Sequence, residues 1–218
     1  MLAGCGDSGT NPEPLPPVPH FVTAVSDTAT IEQGIDAIPE EDAIFLQWHR
    51  DEALAGFQLF RRSEGEKSFA MIATLTARDS IYYDRISPNL RCYYYLRGVA
   101  DDERLSAASD TVDYMLLAKA TDLAVNDGDP LLFSWSVGLM RPASYVLRLQ
   151  EENSGAPVWI SRIQPGYQGT QESAAYNFDG RARLQRLKSG VRYRWRLDCV
   201  GAAPRSGSES AWQGFSLF

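Results

Sequence analysis

Side chains able to do covalent chemistry are few in this chain of 218 residues. Its two histidines are His20, which lies beside the Pro-rich N-terminal stretch, and His49. His49 follows Trp48 beside Arg50-Asp51-Glu52, where an apolar run gives way to a polar turn, and reads as a solvated loop residue. A Ser-His-Asp or Cys-His arrangement would have to use it. Cys92 and Cys199 sit at apolar positions of two separate alternating runs, so they read as buried, unpaired thiols that act as small hydrophobes. A structural zinc site needs about four Cys or His ligands, more than remain. No phosphate-binding glycine loop or nucleophile elbow is present. Carboxylates do cluster, at Glu40-Glu41-Asp42, Asp51-Glu52, Asp101-Asp102-Glu103 and Asp127-Gly128-Asp129. A glycosidase sets two carboxyls across a cleft, whereas these clusters fall at expected turns. Oxygen-rich turns also suit Ca²⁺, at Asp127/Asp129 or Asp101/Asp102; solvated turn acids are the plainer reading. The expectation is a non-enzymatic protein with no catalytic residue, no metal and no cofactor.

Residue types suited to recognition are more abundant. Gln58, Phe60 and Arg62 alternate in one run, and Tyr93, Tyr95 and Arg97 alternate in another. If the two runs are neighbouring strands, these side chains share one outward face. Aromatics beside arginine mark a binding patch, although cross-strand aromatic pairs also stabilise a solvated sheet. A second set is Arg148 with Arg192, Arg194 and Arg196, the last three alternating along one strand. Like charges at that spacing repel unless countered. The counter-charge is either internal, with Asp198 or the acidic first half as sources, or an external anion such as a lipid headgroup, an acidic glycan or protein carboxylates.

The elements that must carry these residues are strands. Helical periodicity is scarce, and short alternating runs separated by turn residues dominate. Hydrophobic residues make up 44% and charged residues 22%, an ordinary globular balance, and the length allows two units of about 100 residues. No apolar run approaches the ~18 residues of a membrane-spanning helix. The net charge of −7 argues against nucleic acid as a partner. That charge is uneven: residues 20–118 carry 17 acidic and 9 basic side chains, residues 119–218 carry 9 and 12. A boundary near Lys119 is expected, giving a tether over residues 1–19 and sandwiches over 20–118 and 119–218, joined by a short linker that limits swing.

The first half contains Leu46-Gln47-Trp48, then Gly56-Phe57-Gln58-Leu59-Phe60-Arg61, Ile72-Ala73-Thr74-Leu75, Tyr82-Tyr83-Asp84 and Tyr93-Tyr94-Tyr95. In that order and spacing it resembles a fibronectin type III domain. The second half repeats the scheme more loosely, with Leu131-Leu132-Phe133-Ser134-Trp135, Ser144-Tyr145-Val146-Leu147-Arg148-Leu149, an F-strand run from Val191 to Cys199, and a last strand from Ser210 to Leu217. The resemblance implies an all-β chain of two tandem immunoglobulin-like sandwiches. Two places depart from it. Cys92 stands where the family's corner tyrosine is expected, and residues 161–180 have no counterpart. Residues 21–33 read as an added edge strand or a linker.

Near the start, Leu2-Ala3-Gly4-Cys5 resembles the lipobox of bacterial lipoproteins, and Asn11-Pro12-Glu13-Pro14-Leu15-Pro16-Pro17-Val18-Pro19 follows. The resemblance implies a signal peptide, acylation of Cys5, and attachment to a membrane of the cell envelope. Pro-rich sequence favours extended polyproline II and cannot fold alone, so a disordered spacer of roughly 40 Å is expected. These readings together give a protein-binding or assembly module whose partner is another envelope protein, or alternatively a surface glycan.

Overall fold

A computed structural model describes residues 14–138, 141–166 and 169–217. Cys5, the lipidation candidate, lies outside the described residues. Among the described residues every regular element is a strand: β1 (Ile35–Ala37), β2 (Ala43–Gln47), β3 (Gly56–Ser63), β4 (Ala70–Thr76), β5 (Ile81–Arg85), β6 (Leu90–Val99), β7 (Val112–Leu116), β8 (Thr121–Asn126), β9 (Leu132–Ser136), β10 (Ser144–Glu151), β11 (Pro157–Ile163), β12 (Gln171–Ala175), β13 (Arg192–Val200), β14 (Ser206–Glu209) and β15 (Gln213–Ser216).

Each half is a two-sheet sandwich. In the first, β1-β2-β5 faces β4-β3-β6-β7; in the second, β12-β9-β8 faces β11-β10-β13 with β15. Alternation produces both. On β6 the residues alternate without a break between half-buried and buried, so Cys92, Tyr94, Leu96 and Gly98 point inward and Tyr93, Tyr95 and Arg97 outward. Leu46, Trp48, Phe57, Leu59 and Tyr94 centre the first core; Phe133, Trp135, Tyr145, Leu147, Trp159 and Trp195 centre the second. Each such buried side chain contributes roughly 1.5–3 kcal/mol by leaving water.

β3 and β10 pair with β6 and β13 in the same way, Gly56 opposite Val99 and Ser144 opposite Val200. Counting back seven residues along each F strand aligns Cys92 with Tyr193. Tyr193 is a corner tyrosine: its hydroxyl accepts from the Lys188 backbone N–H at 3.0 Å. In the first sandwich Cys92 replaces it, and Tyr94, two residues on, donates its hydroxyl to Asp84 at 2.7 Å instead. Asp84 also takes two hydrogen bonds from Arg61.

The expected last strand within 210–217 is β15, which pairs with β13; β14, just before it, pairs antiparallel with β13 on one side and parallel with β7 of the first sandwich on the other. Met115 and Leu117 donate backbone hydrogen bonds to Arg205 and Gly207, both at 2.9 Å. One sheet therefore runs through both sandwiches, from β11 to β4. At the linker, the Lys119 ammonium donates to the carbonyls of Ile38, Pro39 and Glu41.

The spacer expectation needs correction from Pro14 onward. Pro16 and Pro19 are buried, Arg104 donates to the Pro14 carbonyl at 2.9 Å, and Phe21 bridges Trp48. This stretch is docked on the first sandwich, held by the Pro14 carbonyl on Arg104 and by the burial of Pro16 and Pro19. Residues 22–34 are neither edge strand nor linker. They form a finger whose two ends meet at Gln47: Val22 N–H donates to the Gln47 carbonyl, and Gly34 N–H donates to its side-chain oxygen. Gly34 has φ +90° and lies so close to the Ala24 backbone that an added Cβ would sit 2.7 Å from it, so only glycine fits.

Candidate binding surfaces

The outer face of the first sandwich gathers the aromatic and arginine residues of β3 and β6. Phe60 is opposite Tyr95 and Arg62 opposite Tyr93. The Phe60 and Tyr95 rings stack at 4.6 Å, and the Arg62 guanidinium lies 4.3 Å from the Tyr93 ring centre. Phe69, just before β4, folds back over this face. It meets Tyr95 edge-on at 4.9 Å, with Arg62 at 5.5 Å on its other side. Phe69 was not evident as a member from sequence, since its place depends on the β3–β4 turn. Met71, half exposed, extends the patch toward the β4 edge, and Arg97 donates to the Ser106 carbonyl at 3.3 Å. The result is a row of half-buried rings and cations, in which Arg62 donates to the Glu66 carbonyl at 3.2 Å and forms no ion pair among the described residues.

The arginines of the second sandwich are arranged differently. Arg148 and Arg196 are directly opposite each other on β10 and β13, yet only 6% and 4% exposed. Of the two expected sources of counter-charge the internal one is present at both, Asp198 and the acidic first half, and the reading of Arg148 and Arg196 as part of an open binding face is corrected. Arg148 Nε donates to Asp198 at 2.6 Å, and both guanidinium groups contact Glu32. Arg196 Nη1 lies 2.7 Å from Glu209 on β14, and its Nε 2.9 Å from Asp198. Trp212 covers the outside, 4.7 Å from Arg194 and 5.1 Å from Arg196. Arg192 is exposed and paired with Glu152 at 2.5 Å. Nothing in the sequence pointed to Glu32, which reaches this face only because the finger crosses from one sandwich to the other.

Glu32, Asp198 and Glu209 hold the two buried guanidinium groups, and Asp36 of β1 lines the same hollow at the junction. Burial pushes the Asp36 carboxyl up to about 6, against the hydrogen bond it accepts from Tyr114. Burial, reinforced by Asp198, also raises Glu209. Glu32, Asp198 and Glu209 have oxygens within 4.8 Å of one another, close enough for a shared cation, but Arg148 and Arg196 already place positive charge there.

The chemistry-bearing residues stay apart. His20 and His49 are exposed and meet only through a backbone hydrogen bond of 3.0 Å. Cys92 and Cys199 are buried and unpaired, and burial raises both thiols. Asp102 serves a local turn, binding the backbone and side chain of Arg104. Within residues 161–180, Asp179 accepts from Trp159 Nε1 and from the Ser161 hydroxyl, which pins the loop onto the second core.

No family model matches this chain, and no curated protein matches it. Among solved structures it is similar to a two-domain fibronectin type III segment of chicken tenascin, at 16% identity and a TM-score of 0.35, covering 84% of this chain and 96% of that one. It is also similar to the FN1-FN3 domains of chicken CNTN1, at 14% identity and a TM-score of 0.39, covering 93% and 68%. The strand order carries the fold: the chain is a tandem of two β-sandwiches.

Proposed function

We propose that this chain is a non-enzymatic protein-binding module, held at a bacterial envelope membrane by acylated Cys5. The observation that carries the binding reading is the row on the first sandwich: Phe60, Arg62, Phe69, Tyr93 and Tyr95 in mutual contact on an outer face. Rigid aromatics and arginine dominate the energetics of protein interfaces, because they bury much area at small entropic cost. The anchoring reading rests on Leu2-Ala3-Gly4-Cys5 and the Pro-rich stretch behind it.

The test is a pull-down from detergent-solubilised envelope with the full chain, beside Tyr93→Ala/Tyr95→Ala. A stoichiometric protein partner retained by the unchanged chain and lost by the variant is expected. Equal recovery by both would remove the aromatic row from the function, and retention on polysaccharide columns instead would move it to a glycan. Mass spectrometry of Cys5 from the native host tests the anchor: an unmodified thiol would remove it.

A further inference from the structure

Ion pairs are distributed unevenly over the first sandwich. Arg61, Arg85 and Arg91 each meet a carboxylate, whereas Arg62 and Arg97, on the outer face, form no ion pair among the described residues. The acids nearest Arg62 are engaged elsewhere. Glu66 turns its carboxylate to the Ser63 N–H at 2.6 Å and offers Arg62 only its main-chain carbonyl. Asp113 stands opposite Tyr93 on β7 and is held by Arg91 and Arg205. Arg62 is nonetheless fixed in place, since its guanidinium sits against both the Tyr93 and the Phe69 ring. A guanidinium held among rings keeps N–H donors at its rim, in the fork that matches a carboxylate.

Strand register sets the spacing of the two cations. Arg97 lies opposite Gln58, four residues along β3 from Arg62, and the stacked Phe60–Tyr95 pair lies between them. Along the strand direction that separation is roughly 13 Å. In an extended segment, side chains four positions apart have the same spacing, and the one midway between them points to the same side. The rings are poorly disposed to stack on a sugar: Phe60 and Tyr95 cover each other at an interplanar angle of 10°, and Arg62 covers Tyr93.

We propose that this face receives an extended acidic segment of a partner protein, with carboxylates on Arg62 and Arg97 and an apolar side chain between them against the Phe60–Tyr95 pair. It rests on the reading of the row as a protein-binding surface and names the chemistry of the partner. Charge complementarity selects that chemistry, because both cations of the face lack a carboxylate in a half that carries 17 acidic and 9 basic side chains. The other acids of this half repel the same segment elsewhere, which favours this one seat.

The probe is a labelled synthetic peptide, Ser-Glu-Thr-Leu-Thr-Glu-Ser, titrated into the full chain and followed by fluorescence anisotropy. Saturable binding is expected with a Kd of order 10⁻⁴ M at low salt, weakening as salt rises. Replacing both Glu by Gln in the peptide, or Arg62→Gln/Arg97→Gln in the chain, is expected to weaken binding about tenfold or more. Arg62→Lys, which keeps the charge and loses the fork, is expected to fall between. Arg97→Gln alone, which leaves the ring contacts of Arg62 in place, serves if the double variant does not fold. Equal binding of the Gln peptide, unchanged affinity in the arginine variants, or no saturation by about 2 mM peptide would each overturn the proposal. So would displacement of the peptide by an equal concentration of inorganic phosphate, which would make the face a site for small anions. The wider binding reading fails separately. A protein partner lost by Tyr93→Ala/Tyr95→Ala but kept by Arg62→Gln/Arg97→Gln would leave the surface standing and remove the carboxylates; equal recovery by Tyr93→Ala/Tyr95→Ala would remove the surface itself.

Discussion

At the scale of single residues, buried ions set the sharpest expectations. Asp84 is 5% exposed and accepts from Arg61 and from Tyr94. Asp84→Ala strands a half-buried guanidinium and a buried hydroxyl and is expected to cost about 3 kcal/mol, whereas Tyr94→Phe loses one hydrogen bond, about 1 kcal/mol. Urea unfolding of the two variants checks the order. Asp36 gives a pH dependence. Its folded carboxyl keeps a proton to about pH 6, while the unfolded one releases it near 3.8. The folded state thus binds more protons between these values, and the stabilisation, complete below 3.8, is lost as pH rises through 6. Glu32 and Asp198 oppose the Asp36 charge, and Tyr114 supports it. Asp36→Asn should flatten this part of the curve, read as the unfolding midpoint at pH 4.5 against pH 7; an unchanged slope would refute the assignment.

At the scale of elements, β14 decides how the sandwiches sit. Gly207 lies where β14 touches both β13 and β7, and an added Cβ would meet the Cys199 carbonyl at 2.8 Å and the Tyr114 hydroxyl at 2.9 Å. Gly207→Val is therefore expected to separate β14 from β7 while leaving both cores formed. Faster proteolysis across residues 117–120 and a larger radius in small-angle scattering would register it. Intact resistance would mean that Lys119 and the ion cluster suffice to hold the junction. The sequence marked β15 within 210–217 but not β14 before it, because a parallel bridge to another sandwich leaves no local pattern.

At the scale of the whole molecule, the shared sheet and the finger couple the two cores. Of the five tryptophans, Trp48 alone lies in the first sandwich. In a Trp48→Phe background, fluorescence thus reports the second. Leu59→Ala, which empties part of the first core at about 2–5 kcal/mol, is expected to lower that fluorescence midpoint. An unmoved midpoint would show two independently folding units. The charge asymmetry fits this coupling: Glu32 of the first half pairs with Arg148 and Arg196 of the second, and Asp113 with Arg205.

Sequence by itself determined most of the strands, though not β1, β8, β11, β12 or β14, with their inward and outward faces and the two cores, because period-two alternation is a local property and Trp48, Trp135 and the β6 and β13 runs display it directly. It also placed Phe60, Arg62, Tyr93 and Tyr95 on one face, since that follows from pairing β3 with β6. Only the tertiary structure decided what became of the arginines. Arg148 and Arg196 look like an open cationic surface until a finger folded from residues more than 100 positions earlier lays Glu32 and two carbonyls across them. Ion pairing over such a separation depends on where the chain returns in space, and charge spacing along a strand carries no record of that.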